Sequence, residues 1–146
     1  MTENTQLKEL FNAFSFDVID EYKEVLWLVR QNSRIFGRKH YDEAIAQLGA
    51  LRERAARLAP RDLTADSELE KELIDLLARA RHVFGEVTLA QIRLQEMLRD
   101  KAHRKGRVKM SDCKVEMDRI NEETETLNRL LRALDVKWAD YLEETE

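Results

Sequence analysis

The segment LEKELIDLLARARHVFGEVTLAQIRLQEM, residues 69–97, decides the fold because its apolar residues recur at alternating spacings of four and three. The stripe consists of Leu69, Leu73, Leu76, Ala80, Val83, Val87, Ala90, Leu94 and Met97. This spacing places every member on one face of an α-helix, as in a coiled coil. We therefore predict a long helix over residues 66–98, with Asp66 or Ser67 as its N-terminal cap.

A second stripe with the same spacing follows after a short break. It consists of Cys113, Met117, Ile120, Thr124, Leu127, Leu131, Leu134, Trp138 and Tyr141. It predicts a helix over residues 111–144, and the short connection makes the two helices antiparallel neighbours. Additional apolar residues widen the stripes away from the connection, which indicates further packing partners there. Near the connection the second stripe is narrow, so we expect that end of the hairpin to project with only two helices in contact.

The first half of the chain predicts two shorter helices. Apolar residues at helical spacing run through 15–36, and Ser15 is the candidate cap of that helix. Residues 4–14 form either a separate short helix or its continuation. A further helix is predicted over residues 40–58, before Pro60.

These elements predict an all-α fold. The architecture is an up-down four-helix bundle that contains a long antiparallel, coiled-coil-like hairpin, in a single helical domain of residues 1–146. The composition agrees, because 146 residues suit one domain and four Gly with one Pro leave room for few turns.

Composition also indicates a location. The N-terminal residues MTENTQLKEL lack the basic and apolar regions of a signal peptide, and no apolar run approaches the ~18 residues of a membrane span. The single cysteine, Cys113, excludes an internal disulfide and suits a reducing compartment. We expect a cytoplasmic protein with no membrane partner.

The segment DKAHRKGRVK, residues 100–109, forms the connection of the predicted hairpin. Five of its ten residues are Lys or Arg, in a chain whose net charge is −4. Candidate polyanion-binding residues are Arg99, Lys101, Arg104, Lys105, Arg107 and Lys109. Clustered cations suit phosphate binding, but no aromatic side chain is present for base stacking. A solvated turn is the other interpretation.

Four aromatic residues of the first half, Phe11, Phe14, Phe16 and Trp27, are candidates either for the core or for contact with a partner. With the long stripes, they favour a non-enzymatic helical adaptor, chaperone-like or assembly protein that acts through helix–helix protein contacts. Self-association as a homodimer is its simplest form. The alternative is nucleic-acid or polyanion binding through the basic tip, residues 99–109.

An enzymatic alternative comes from two carboxylate pairs, Glu21 with Glu24 and Glu72 with Asp75. They resemble the magnesium-binding carboxylates of all-helical nucleotide pyrophosphohydrolases, and the resemblance implies Mg²⁺-dependent nucleotide hydrolysis. In that family the two motifs lie on successive helices, whereas here another predicted helix intervenes. The main interpretation includes no catalytic residue, cofactor or metal site, since the three His are far apart and no Glu-x-x-His pair occurs.

Overall fold

The structure, a computed structural model, describes residues 3–34, 37–103 and 108–145. Its elements are α1 (Thr5–Asn12), a π-helical segment (Ala13–Val18), α2 (Ile19–Asn32), α3 (Tyr41–Arg57), α4 (Glu68–Ala102) and α5 (Met110–Thr145). The described residues contain no strand, and the long helices α4 and α5 pack against each other. The predicted all-α helical bundle is confirmed.

The first helix of the bundle runs without interruption through α1, the π-helical segment and α2, and we call these three together the first helix. It begins after Asn4, whose side-chain oxygen accepts a hydrogen bond from the backbone N–H three residues later at 3.1 Å. The prediction that Ser15 caps a helix is wrong, because Ser15 lies inside the π-helical segment with helical backbone on both sides. The buried residues Phe14, Val18 and Tyr22 follow one another at intervals of four residues, without the interval of three that normally alternates with it in an α-helix. The extra residue fits the wider turn of the π-helical segment.

The first helix and α4 run parallel, and α3 connects them in the opposite direction. Phe14 contacts Phe84 with 6.0 Å between ring centres. Further along both helices, the Asn32 amide donates a hydrogen bond to the side-chain oxygen of Gln95 at 2.8 Å. Because the contacts advance together along the two helices, they share one direction.

The helices α4 and α5 are 35 and 36 residues long and form the predicted antiparallel hairpin. Ion pairs of 2.9 Å join Glu86 to Arg119 and Glu72 to Lys137. The α5 residue number rises as the α4 number falls, so the two helices run antiparallel.

Within the described ranges, no helix combines the length and the apolar character that crossing a membrane requires.

Buried aromatic rings attach the first helix to both members of the hairpin. Phe11 stacks on Trp138 of α5 with 4.2 Å between ring centres. Phe84 of α4 makes edge-to-face contacts with Phe14 and with Tyr22, whose ring centre is 5.1 Å away. Each such pair contributes about 0.5–1.5 kcal/mol beyond the burial of its area. The core therefore depends on one side of the first helix.

A buried carboxylate fixes the end of the bundle where the first helix begins. Glu70 is fully buried. It accepts hydrogen bonds from the Asn4 side-chain amide at 3.1 Å, the Asp66 backbone N–H at 3.2 Å and the Tyr141 hydroxyl at 3.2 Å. These bonds compensate for the removal of the carboxylate from water, and they join the beginnings of the first helix and α4 to the end of α5.

The opposite end corrects one expectation, since more than two helices lie there. Asp42, in the first turn of α3, pairs with Arg99 in the last turn of α4 at 2.9 Å. Asn32, at the end of α2, bonds to Gln95 and also accepts the His40 backbone N–H at 2.6 Å. The prediction of a projecting two-helix tip is wrong, because the end of α2 and the start of α3 contact α4 there. The apolar pattern of the sequence could not reveal these contacts, because they are polar.

Candidate functional site

The four aromatic residues proposed from the sequence to contact a partner fall into two groups. Phe11 and Phe14 are 2% and 1% exposed and belong to the core. Phe16 and Trp27 are 56% and 63% exposed. Of the four candidates, Phe16 and Trp27 are therefore the two that another molecule can contact while the bundle is folded.

Phe16 and Trp27 belong to a continuous surface feature of the first helix. Residues spaced by four and three share one helix face, and this spacing gives the set that we call the aromatic stripe. The aromatic stripe consists of Phe16, Asp20, Lys23, Trp27 and Arg30, all of them exposed. The buried residues Tyr22 and Val25 lie on the opposite side of the same helix. The side that packs and the side that carries the aromatic stripe are therefore separate.

A groove of about 520 Å³ lies beside the N-terminal half of the aromatic stripe, between the first helix and α5. Its apolar lining comes from Phe16, Ile19 and Leu131, and charged side chains from both helices surround it. The Oγ of Ser15 also lines the groove and has no hydrogen-bond partner within the described part of the chain. The groove and the exposed ring of Phe16 together form a concave apolar surface with a charged rim, typical of a site for another helix.

Trp27 is the second exposed aromatic ring of the aromatic stripe and lies further along the helix, outside the lining of the groove. An exposed tryptophan is costly in water and is enriched at protein interfaces, because its large rigid ring buries area with little loss of conformational entropy. Single exposed apolar residues are ordinary. Two large aromatic residues on one stripe of a highly charged helix are a more specific signal.

The structure describes three of the six residues proposed to bind a polyanion at the basic tip: Arg99, Lys101 and Lys109. Arg99 is engaged with Asp42 at 2.9 Å and with Asp100 at 3.4 Å. The hydrogen bond to Asp42 raises the pKa of the Arg99 guanidinium above its ordinary value, with a smaller contribution from Asp100. Lys101 and Lys109 are exposed. The remaining proposed residues, Arg104, Lys105 and Arg107, lie outside the described residues.

The carboxylates that resemble a magnesium site are divided between different neighbours. Glu21 pairs with Arg54 of α3, and Glu72 pairs with Lys137 of α5. Asp75 pairs with Arg79 of its own helix at 3.6 Å. Among the residues that the structure describes, no group of three or more His, Cys, Asp or Glu side chains is placed to hold a metal ion. The geometry offers no support for the resemblance.

The charged members of the aromatic stripe were missed in the sequence reasoning. Asp20, Lys23 and Arg30 stand at the same alternating spacing as Phe16 and Trp27, so the signal was present. It was obscured because the strongest apolar pattern of this helix belongs to its buried side. A heptad search that accepts charged residues between two aromatic residues identifies the stripe.

The chain matches no family model, no curated protein and no solved structure. Its function has to be inferred from this geometry.

Proposed function

We propose that this chain is a non-enzymatic helical adaptor or assembly protein, and that it binds a protein partner through the aromatic stripe of the first helix. The observation that carries the proposal is the exposure of two aromatic rings, Phe16 and Trp27, on a helix whose opposite side is buried in the core. We further propose that it acts in the cytoplasm, where its one cysteine, the buried Cys113, remains a thiol.

The physical basis is the cost of leaving these rings in water. Covering apolar area stabilises a complex by about 25 cal/mol per Å² before the entropic costs of association are subtracted. Aromatic residues near the centre of an interface commonly account for most of its binding energy. The charged residues of the aromatic stripe then select the partner and its direction, because mismatched charges oppose a wrong arrangement.

The test uses three tagged proteins in the cell of origin: the wild type, the double variant Phe16→Ser with Trp27→Ser, and the control Val136→Ser. Val136 is 62% exposed on α5, so its replacement removes exposed apolar surface from another helix. We expect the wild type and the control to capture a common protein partner that the double variant loses. Purified partner then has to bind the purified wild type directly.

An unchanged set of captured proteins in all three samples would refute the proposal. Circular dichroism and thermal unfolding of the double variant provide the folding control. Because both replaced side chains are more than half exposed, we expect its unfolding temperature to stay within a few degrees of the wild type.

A polyanion-binding function for the tip remains a separate proposal, supported by the exposed Lys101 and Lys109. The measurement is a titration with mixed RNA and DNA at low and moderate salt. Replacing Arg104, Lys105 and Arg107 by Glu should abolish binding if the tip is the site. Binding that is absent in the wild type, or unaffected by these replacements, contradicts this function.

A further inference from the structure

We propose that the partner seated on the aromatic stripe is a second copy of this chain, packed antiparallel along the first helix about a two-fold axis at the level of Val25. This inference rests on the proposed function and specifies its partner. It starts from the order of the charges along the aromatic stripe.

The charges of the aromatic stripe are distributed unevenly along the helix. Its members follow one another at spacings of four, three, four and three, as do the positions that meet in a two-stranded coiled coil. The acidic member, Asp20, lies towards the N-terminal end, and a basic member, Arg30, lies at the C-terminal end. A helix with this polarity is complementary to its own antiparallel copy.

Antiparallel pairing brings opposite members of the aromatic stripe together. About the proposed axis, Asp20 of one copy faces Arg30 of the second copy, and Lys23 faces Trp27 of the second copy. The two-fold axis repeats each pair, which gives two ion pairs and two ammonium–indole contacts. An ammonium group over the face of a tryptophan is attracted by the ring, more strongly as water is removed.

Parallel pairing of the same surfaces is opposed by charge. It places Asp20 against Asp20, Lys23 against Lys23 and Arg30 against Arg30. Like charges facing each other across an interface cost several kcal/mol. The direction of packing therefore follows from the order of the side chains.

The charges required for the contact are available on the surface of one copy. Among the described residues Asp20 pairs only with Lys23, at 3.9 Å, and both side chains are more than half exposed. Such a pair between exposed groups contributes little to stability. Arg30 forms no ion pair with any of the described residues. An ion pair between copies therefore breaks no buried contact.

A single surface that supplies both members of every pair is typical of an isologous, two-fold interface. A different protein would need the complementary order of charged residues on its own surface. A second copy of this chain already carries that order. One contact opposes the dimer: Glu24 lies beside the aromatic stripe near the axis and approaches its own copy. Its neutralisation should therefore tighten the association.

The size of the contact sets the range of concentrations to test. The paired stretch from Asp20 to Arg30 extends over about 15 Å at ~1.5 Å per residue, and Phe16 lies beyond it. One helix face of that length is small beside the ~800 Å² that each partner buries in a standard interface. A reversible, concentration-dependent dimer follows, and sedimentation velocity should cover about 1 to 500 µM.

The experiment compares the wild type with Asp20→Arg and with Arg30→Asp, alone and mixed in equal amounts. Each variant alone confronts two like-charged pairs, so we expect its dimer to be at least about tenfold weaker than that of the wild type. In the mixture the introduced arginine of one variant meets the introduced aspartate of the other, and the native Arg30 meets the native Asp20. The dimer should therefore return as a heterodimer. Lys114→Asp and Glu143→Arg, at exposed positions of α5, are the matched charge controls and should dimerise as the wild type does.

A wild type that remains monomeric throughout this range would overturn the inference. A dimer that both single variants retain would overturn it too, and failure of the mixture to restore a lost dimer would overturn the antiparallel arrangement. The proposed function fails separately. If the wild type is monomeric but Phe16→Ser with Trp27→Ser still loses a cellular partner, only the second copy is excluded as the occupant.

Discussion

Replacing Phe84 by Ala tests how the first helix is attached to the bundle. Phe84 is fully buried on α4 and touches Phe14 and Tyr22 of the first helix by ring edges. Removing a buried phenyl ring costs about 3–5 kcal/mol through lost burial and the cavity left behind. For a chain of 146 residues this corresponds to a fall of roughly 10–15 °C in unfolding temperature.

The assay is urea unfolding followed by circular dichroism, with Phe16→Ala as the matched control. Phe16 is 56% exposed and makes one edge contact with Phe11 at 5.9 Å, so its loss should cost only about 0.5–1.5 kcal/mol. The reasoning is refuted if Phe84→Ala costs less than about 1 kcal/mol. It is refuted equally if the two variants are destabilised to the same extent.

Three other outcomes follow from buried polar groups. Glu70→Ala leaves the Tyr141 hydroxyl and two N–H groups without their acceptor, so urea unfolding should show a loss of about 2–4 kcal/mol, and a loss below about 1 kcal/mol would contradict this. Burial raises the pKa of Tyr22 to about 12, against about 10 when unfolded. The folded state therefore keeps a proton that the unfolded state releases. Stability from this group is complete below about pH 10 and falls by about 1.4 kcal/mol per pH unit towards about pH 12, and Tyr22→Phe should flatten that decline in urea midpoints. Asn32→Ala removes the acceptor of the His40 N–H, so hydrogen exchange at that amide should accelerate, and unchanged exchange would exclude the bond.

The hairpin could be predicted from the sequence because its cause is local and repetitive. The apolar stripes of α4 and α5 are long enough to define two helices and the face by which they meet. The apolar residues that widen the α4 stripe include Leu77 and Phe84, and both are buried, as the widening indicates. The pattern of α4 predicts further packing partners, but it does not identify them as α3 and the first helix.

The rest of the architecture depends on buried polar groups, and the spacing of apolar residues gives no information about them. Glu70, Gln91 and Gln95 are buried on α4, and the side-chain oxygen of each accepts a hydrogen bond from a distant part of the chain. Such partners cannot be identified from spacing. The candidate site shows the same limit, since Phe14 and Phe16 are two residues apart and only the three-dimensional packing separates a core ring from an exposed one.

The most direct test of the central claim is the accessibility of Trp27 inside the cell. Hydroxyl-radical footprinting compares dilute purified protein with the protein in its native cell, with Val136 as the exposed reference on α5. If the aromatic stripe is an interaction surface, Trp27 and Phe16 should be oxidised more slowly in the cell while Val136 is unchanged. If Trp27 and Phe16 are oxidised at the same rate relative to Val136 in the cell as in dilute solution, the account is contradicted.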